Sequence, residues 1–265
     1  MKDKVIIITG SSIGIGRKMA ELLTAQGAKI VLNARNENRL LEVAATFEKN
    51  GHDVLAVVGD VSKPEDCKNI VMKAIEKYGQ LDGLINNAGI STEGEVGSLD
   101  DDVFRKVMEV NYLGSVYPTQ AALPFLRKTK GSVIFVSSVA GIRGIPGYAV
   151  YSSSKMALTA LAESLKIEEQ PRGVHVGIAY VGFTENDAQK TIYNSEGKIV
   201  PQPARPGMKI EPVEVVAGRI INMIKQRQFK NVFTLLGKLN NMVNKLFPFI
   251  GDFVLSKNYH KNKTT

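Results

Sequence analysis

Tyr151 and Lys155 stand four residues apart in a segment of helical spacing, so they share one face, one turn above each other. An ammonium held near a phenol favours the phenolate and lowers its pKa. A tyrosine tuned in this way can give or take a proton near neutral pH, which a free tyrosine cannot. The pair is common on helices and gains meaning only if other elements bring it something to protonate. Thr9-Gly10-Ser11-Ser12-Ile13-Gly14-Ile15-Gly16 is the second stretch with chemical content. It follows an apolar, β-branched run and precedes helical spacing at Met19, Leu22 and Leu23. A strand, a glycine turn and a helix together turn backbone N–H groups and the positive end of a helix dipole toward a phosphate. Glycine stands where a side chain would block that approach.

These stretches need a scaffold, and the chain supplies a regular one. Lys4–Thr9, Ala28–Asn33, Asp53–Val58, Leu81–Ile85, Ser132–Val136 and Val174–Ala179 read as strands, alternating with helical patterns. That alternation predicts a single α/β domain with a doubly wound, Rossmann-like parallel sheet. Ser62-Lys63-Pro64-Glu65 predicts a capping box with proline at the first helical position. Asp100–Leu126 reads as one long helical region containing Asn111, kinked or divided by Pro118 and Pro124. Pro212–Arg227 reads as a further helix and Asn231–Leu235 as a last strand. In such a sheet, ligands sit beyond the carboxyl ends of the strands. Thr9, Arg35, Asp60, Asn86, Ser138 and Tyr180 all fall at such ends or just past them. Dinucleotide enzymes read the adenosine ribose after the second strand, with an acid for a free 2′-hydroxyl or an arginine for a 2′-phosphate. Arg35 stands there and no acid does, which favours NADP(H) with NAD(H) as the other option; a solvated loop charge is the alternative reading of Arg35.

Composition narrows the field. Cys67 is the single cysteine of 265 residues, so an internal disulfide and a thiolate cluster are excluded and a reducing compartment, the cytoplasm, is expected. Its amphipathic surroundings read as a helix position rather than a nucleophile. His52, His175 and His260 lack metal-ligand spacing, so no metal is expected. The apolar run Val5–Ile8 is too short for a signal peptide, and no run is long enough to span a bilayer. The net charge of +8 is local: residues 218–265 hold nine Lys and Arg against Asp252 alone, while residues 1–217 carry 25 of each sign. A neutral body without a recognition motif argues against nucleic acid as a partner.

With Thr9-Gly10-x-x-x-Gly14-Ile15-Gly16, Asp60-Val61, Asn86-Asn87-Ala88-Gly89, Asn111, Ser138 and Tyr151-x-x-x-Lys155 in this order, the chain resembles the short-chain dehydrogenase/reductase family, in its NAD(P)-dependent form. The resemblance covers about residues 4–190 and implies roles position by position. Gly10, Ser12, Gly14, Ile15 and Gly16 would line the pyrophosphate and adenosine side of the cofactor, with Asp60 and Val61 at the adenine. Asn87, Ala88 and Gly89 would approach its ribose. Tyr151 would be the general acid toward a carbonyl oxygen, and the base in reverse. Lys155 would lower the Tyr151 pKa and hold the nicotinamide ribose, and Ser138 would hydrogen-bond the substrate oxygen. Asn111 would hold the helix kink and a relay water. Thr184 would meet the carboxamide, although Val181 stands where the family usually has proline. The substrate implied is a small-molecule carbonyl or alcohol, and the assembly implied is a dimer or tetramer.

Two segments choose what Tyr151 meets. Residues 183–211, polar and rich in proline and glycine, are expected to be a mobile substrate lid on a catalytic domain of residues 1–235. Residues 236–265 form a basic amphipathic extension, with Leu239, Met242, Val243, Leu246, Ile250 and Phe253 at helical spacing and Pro248 dividing the pattern. Such a stretch can lie peripherally on an anionic membrane, or pack on the core or a partner subunit. The leading expectation is therefore an NADP(H)-dependent oxidoreductase. The alternatives are a dinucleotide-binding redox sensor without turnover and a membrane-associated lipid ketone reductase.

Overall fold

β1 (Val5–Thr9) consists of apolar and β-branched residues, and all five are buried. Successive side chains on a strand point to opposite faces, so Ile6 and Ile8 enter one apolar cluster and Val5 and Ile7 another. A strand buried on both faces belongs in the middle of a parallel sheet with helices above and below. β1 lies there in the computed structural model, which describes residues 1–185, 187, 189–203 and 210–263. Part of the expected lid, including Pro206, and the last two residues of the extension lie outside the described residues.

After β1 come α1 (Gly14–Thr24), β2 (Lys29–Ala34), α2 (Glu37–Lys49), β3 (Val54–Val58), α3 (Pro64–Tyr78) and β4 (Gly83–Asn86). The chain continues through α4 (Asp101–Met108), α5 (Gly114–Thr129), β5 (Ser132–Ser138), α6 (Ala149–Glu169) and β6 (His175–Val181). A hairpin of β7 (Thr191–Tyr193) and β8 (Ile199–Pro201) precedes α7 (Val213–Lys225), β9 (Lys230–Val232), α8 (Leu235–Leu246) and α9 (Pro248–Lys263). Seven strands form one parallel sheet in the order β3-β2-β1-β4-β5-β6-β9, the doubly wound α/β arrangement that the alternation predicts. Met19 of α1, Leu40 of α2 and Ile220 of α7 cover one face. Ile70 of α3, Leu126 of α5 and Leu158 of α6 cover the other. The strand order reverses between β1 and β4, so the loops after these two strands diverge and leave a crevice between them.

Several local expectations need correction. The Ser62–Glu65 capping box does not form: Lys63 is the N-cap and offers no side-chain acceptor. Ser62 instead donates its hydroxyl to the Asp60 carboxylate at 2.7 Å, a stronger, charged acceptor two residues upstream. Pro64 does open the helix. The long helical region is divided not by its prolines but by a π turn over Glu109–Leu113, which contains Asn111. Pro118 and Pro124 lie inside a continuous α5; the carbonyl that Pro118 cannot serve is that of Gly114, at the junction with the π turn. The last strand ends at Val232, because Thr234 accepts from the Gly237 N–H at 3.0 Å and starts α8 as its N-cap. Tyr180 is fully buried, with its hydroxyl 2.9 Å from Thr159 Oγ1, so it is a core residue and not part of the crevice. Among the described residues, no helix is long and apolar enough to cross a membrane.

Candidate active site

The glycine turn after β1 is built for a close neighbour. Gly10 and Gly14 have φ of +63° and +56°, a region that side chains rarely adopt. A Cβ on Gly10 would lie 2.8 Å from Ala88 Cα, and one on Gly16 would lie 2.6 Å from Asn87 Nδ2. Asn87 Nδ2 donates to the carbonyls of Thr9 and Gly10 at 2.9 and 3.0 Å, which locks the loop after β4 against the turn after β1. Thr9 Oγ1 accepts from the backbone N–H groups of Asn87 and Ala88, both at 3.0 Å. α1 then starts with uncapped donors: Ile13 provides no side-chain acceptor, and the first turn holds no acid. α2 is different, with Asn36 accepting from the Arg39 N–H and Glu37 in its first turn. The Gly14 N–H meets the Asp187 carboxylate at 3.4 Å. A carboxylate thus stands at the uncapped N–H groups of this turn, where the helix dipole favours negative charge such as that of a phosphate. Ser12, Ile13, Arg17, Arg39 and Asp187 line a cavity of about 190 Å³ beside it. The Ile15 side chain points away and packs on the core.

Arg35 follows β2 and is exposed, with Nη1 3.7 Å from Asp60 Oδ2. Burial raises the Asp60 pKa, but hydrogen bonds from the Ser62 backbone and hydroxyl, helped by Arg35 and Lys63, outweigh it and hold the carboxyl below its ordinary value. Asp60 is therefore a fixed anion that shares Arg35. Val61 is buried beside Cys67, Val110 and Ala88. The Cys67 thiol is pushed up to about 12 by burial and donates to the Val61 carbonyl at 3.3 Å, so it is inert as a nucleophile.

Asn111 ties three elements together. Its Oδ1 accepts from the Ile90 N–H at 2.8 Å, and its Nδ2 donates to the Ile90 carbonyl at 3.0 Å and to Ser154 Oγ at 2.9 Å. Ser154 in turn donates to the Tyr151 carbonyl at 2.7 Å, which sets the first turn of α6. Both amide hydrogens of Asn111 are therefore spent on protein. Lys155 is buried and donates from Nζ to the Val136 carbonyl at 3.0 Å. Burial, and then the charge of Lys190, push its pKa down to about 8. Nζ lies 5.9 Å from the centroid of the Tyr151 ring. A Cβ on Gly89 would be 3.2 Å from Asn111 Oδ1 and 3.4 Å from Lys155 Nζ, so glycine keeps that space open.

Ser137 and Ser138 divide their work. Ser137 is buried and donates to the Lys155 carbonyl at 3.1 Å, which fastens β5 to α6. Ser138 is half-buried at the strand end, and its Oγ accepts from the Ala140 N–H at 3.2 Å; among the described residues its hydroxyl hydrogen is still to give. Thr184 is buried with its hydroxyl 3.3 Å from the Gly182 carbonyl, and Glu185 and Glu211 hold that loop by backbone bonds to each other and to Phe183. Tyr148 is half-buried at the start of α6 and bridges to Gly94. The expected lid carries the β7–β8 hairpin, which the sequence reading does not predict, and Tyr193 docks it on Thr92. Sequence reasoning also missed Ser11, Arg17, Arg39, Ser154 and Asp187. Ser11 joins the glycine turn to β2 by accepting from the Asn33 N–H at 2.9 Å. Of these, only Arg17 carried a signal, as a cation in the first turn after the glycines.

The comparisons with known proteins give the family and the fold. The family model described as short chain dehydrogenase matches residues 4–197. The chain is 36% identical over 233 residues to 11-beta-hydroxysteroid dehydrogenase 1A of Arabidopsis thaliana, covering 85% of this chain and 66% of that one. It is 42% identical over 186 residues to 3-ketodihydrosphingosine reductase of Bos taurus, covering 68% of this chain and 56% of that one. The chain thus spans less than two thirds of the length of these relatives. Among solved structures, an alcohol dehydrogenase from Thermococcus sibiricus complexed with 5-hydroxy-NADP superposes with a TM-score of 0.76 at 28% identity, covering 88% of this chain and 96% of that one. A short chain dehydrogenase/reductase from Burkholderia phymatum in complex with NAD gives 0.80 at 23% identity, covering 92% and 93%, which speaks for the fold alone.

Proposed function

Since the chain belongs to the short chain dehydrogenase family, we propose that it interconverts a carbonyl and an alcohol with NADP(H), using Tyr151 as the general acid and base. The observation that carries this reading is the state of Lys155. A buried ammonium has three donors to satisfy, and among the described residues its one hydrogen bond goes to the Val136 carbonyl. It therefore has donors left for the hydroxyls of a ribose and a charge left for the phenol one turn away. NADPH, when bound, supplies the hydride that reaches the carbonyl carbon. Gly10, Ser12, Gly14, Ile15 and Gly16 would hold it at the turn after β1, with Asp60 and Val61 near the adenine. Asn87, Ala88 and Gly89 would face its ribose, Tyr151 and Lys155 its nicotinamide side, and Thr184 its carboxamide. Arg35 would take the 2′-phosphate with the guanidinium donors that Asp60 leaves free.

Ser138 donates its hydroxyl hydrogen to the substrate oxygen and stabilises the charge that develops there. Tyr151 gives its phenolic proton to the same oxygen, and Lys155 favours the phenolate left behind. Asn111 acts through position, because it fixes Ser154 and through it the backbone of Tyr151. Tyr151→Phe tests the reading. Turnover should fall by about 10²–10⁴-fold while NADPH binding is kept. Undiminished turnover would remove Tyr151 from the chemistry; NADPH binding without turnover on any ketone or alcohol would favour a redox sensor.

A second reading concerns the substrate. A cavity of about 690 Å³ lies beside the start of α6, between Glu95, Val96, Pro146, Ala149 and Leu255. Its size, its partly apolar wall and the relatives named for hydroxysteroid and ketodihydrosphingosine chemistry favour a lipid-like ketone or alcohol.

A further inference from the structure

Helix α8 is amphipathic in the reverse sense, and α9 continues its exposed apolar residues. Val243 and Leu255 are half-buried, but the other contacts of the two helices with the protein are polar or bare. Gly237 lies against Val232, Thr234 and Val139, and a Cβ there would come within 2.7 Å of Thr234 Oγ1. Asn244 donates to the Ile142 carbonyl at 3.3 Å and accepts from Arg143 Nη1 at 2.9 Å. Arg143 also donates to the Pro248 carbonyl at 3.2 Å, pairs with Asp252 and lies directly across Gly251. Tyr259 donates to Glu95. The outer side holds Leu235, Leu239, Met242 and Leu246, at i, i+4, i+7 and i+11 of α8, which are 84, 52, 53 and 63% exposed. Phe249 and Phe253 extend it along α9 at 66 and 70% exposed. A helix packed on a domain normally turns its apolar stripe inward, and a contiguous exposed apolar face marks a docking surface.

Charge decides what docks. From Leu235 onward the sequence holds five lysines and one acid, Asp252, which Arg143 neutralises. Lys238 and Lys257 are exposed on these two helices, while residues 1–217 carry no net charge. A second copy across a two-fold axis would bring like charges face to face. An anionic bilayer surface accepts both the apolar side chains and the lysines. We propose that the outer face of α8 and α9 docks peripherally on an anionic membrane. Its large side chains lie at the boundary between headgroups and acyl chains, and its lysines at the lipid phosphates. Neither helix is long and apolar enough to cross. α9 also forms one wall of the cavity beside the start of α6, through Asp252, Leu255, Ser256 and Tyr259. The docked face and this cavity therefore share one helix, and the Arg143 loop that follows Ser138 holds that helix in place. Docking does not depend on the proposed reaction.

The full chain is sedimented with vesicles of phosphatidylcholine alone and of phosphatidylcholine with phosphatidylglycerol, and its mass is measured by light scattering. Sedimentation with the anionic vesicles and weakening by salt are expected. Each lysine at the surface contributes about fivefold, so the Lys238→Glu, Lys257→Glu pair should lose more than about tenfold. The Phe249→Glu, Phe253→Glu pair should lose association with its circular dichroism melt unchanged. The chain has no tryptophan, so Phe249→Trp provides a single reporter whose emission should shift to the blue on anionic vesicles. Absence of wild-type sedimentation with anionic vesicles, sedimentation that the variants leave unchanged, or a dimer that the phenylalanine pair dissolves without any vesicle binding would each overturn the proposal. None of these readouts requires turnover, so a failure of the proposed reaction would show separately.

Discussion

Replacing Lys155 with methionine should leave the protein as stable as before near neutral pH, or more so, while removing its activity. Lys155 is 5% exposed, and its pKa falls from 10.5 to about 8, through burial first and Lys190 second. At roughly 1.4 kcal/mol per pH unit, the charged form costs the folded state about 3 kcal/mol where both states are protonated. The unfolded chain keeps this proton up to about pH 10.5, whereas the folded one gives it up near pH 8. Between those values the unfolded state binds more protons, so wild-type stability rises with pH; below about 8 the full cost is present. Methionine is of similar length and uncharged. It removes the cost and forfeits the hydrogen bond to the Val136 carbonyl, a loss of about 1–2 kcal/mol. Lys155→Met should therefore be level with the wild type or about 1–2 kcal/mol more stable near neutral pH. By about pH 10 the wild type should recover roughly 2–3 kcal/mol relative to it. Urea unfolding of the cofactor-free protein at both pH values, followed by far-UV circular dichroism, measures this directly. A stability difference that stays the same at both pH values would refute the argument, because the buried charge would then carry no penalty.

Other perturbations probe the remaining parts of the site. Arg35→Ala should weaken NADPH binding by about 10–100-fold, the worth of a charge-assisted hydrogen bond, and leave NADH binding unchanged by calorimetry; an unaltered preference would remove Arg35 from 2′-phosphate recognition. Gly16→Ala places a Cβ 2.6 Å from Asn87 Nδ2, and the forced shift of the loop should cost about 1–3 kcal/mol in urea unfolding and weaken NADPH binding. Asn111→Ala deprives the Ile90 N–H and carbonyl of their partner, so a loss of about 2–4 kcal/mol in urea unfolding is expected; an unchanged midpoint would show that water replaces the amide.

The sheet was legible because its signals are local. Val5–Thr9 alternates between two cores and so had to be a strand covered on both faces. The chemical markers were legible for the same reason, since four residues along a helix and a glycine at a turn are short-range geometry. Local signals also misled. Ser62 and Glu65 have capping spacing, but the Asp60 carboxylate competes for the hydroxyl. Pro118 and Pro124 look like breaks, but the helix breaks where Asn111 bonds to Ile90 and Ser154. The β7–β8 hairpin is too short, at three residues a strand, to show an alternation.

By itself, then, the sequence determined the α/β scaffold, the glycine turn after the first strand and the placing of Tyr151 one turn from Lys155. Tertiary structure alone decided the electrical state of those groups and the orientation of the extension. The depressed pKa of Lys155 comes from burial under other elements, and the sharing of Arg35 with Asp60 comes from two strand ends lying side by side. Whether the apolar stripe of α8 faces in or out is likewise not written in its periodicity. Arg143, about a hundred residues earlier in the chain, draws polar and bare residues of both helices onto the loop that follows Ser138, and large apolar side chains are left outward. Periodicity states that a helix has two faces; hydrogen bonds and burial between distant residues decide which one meets the protein.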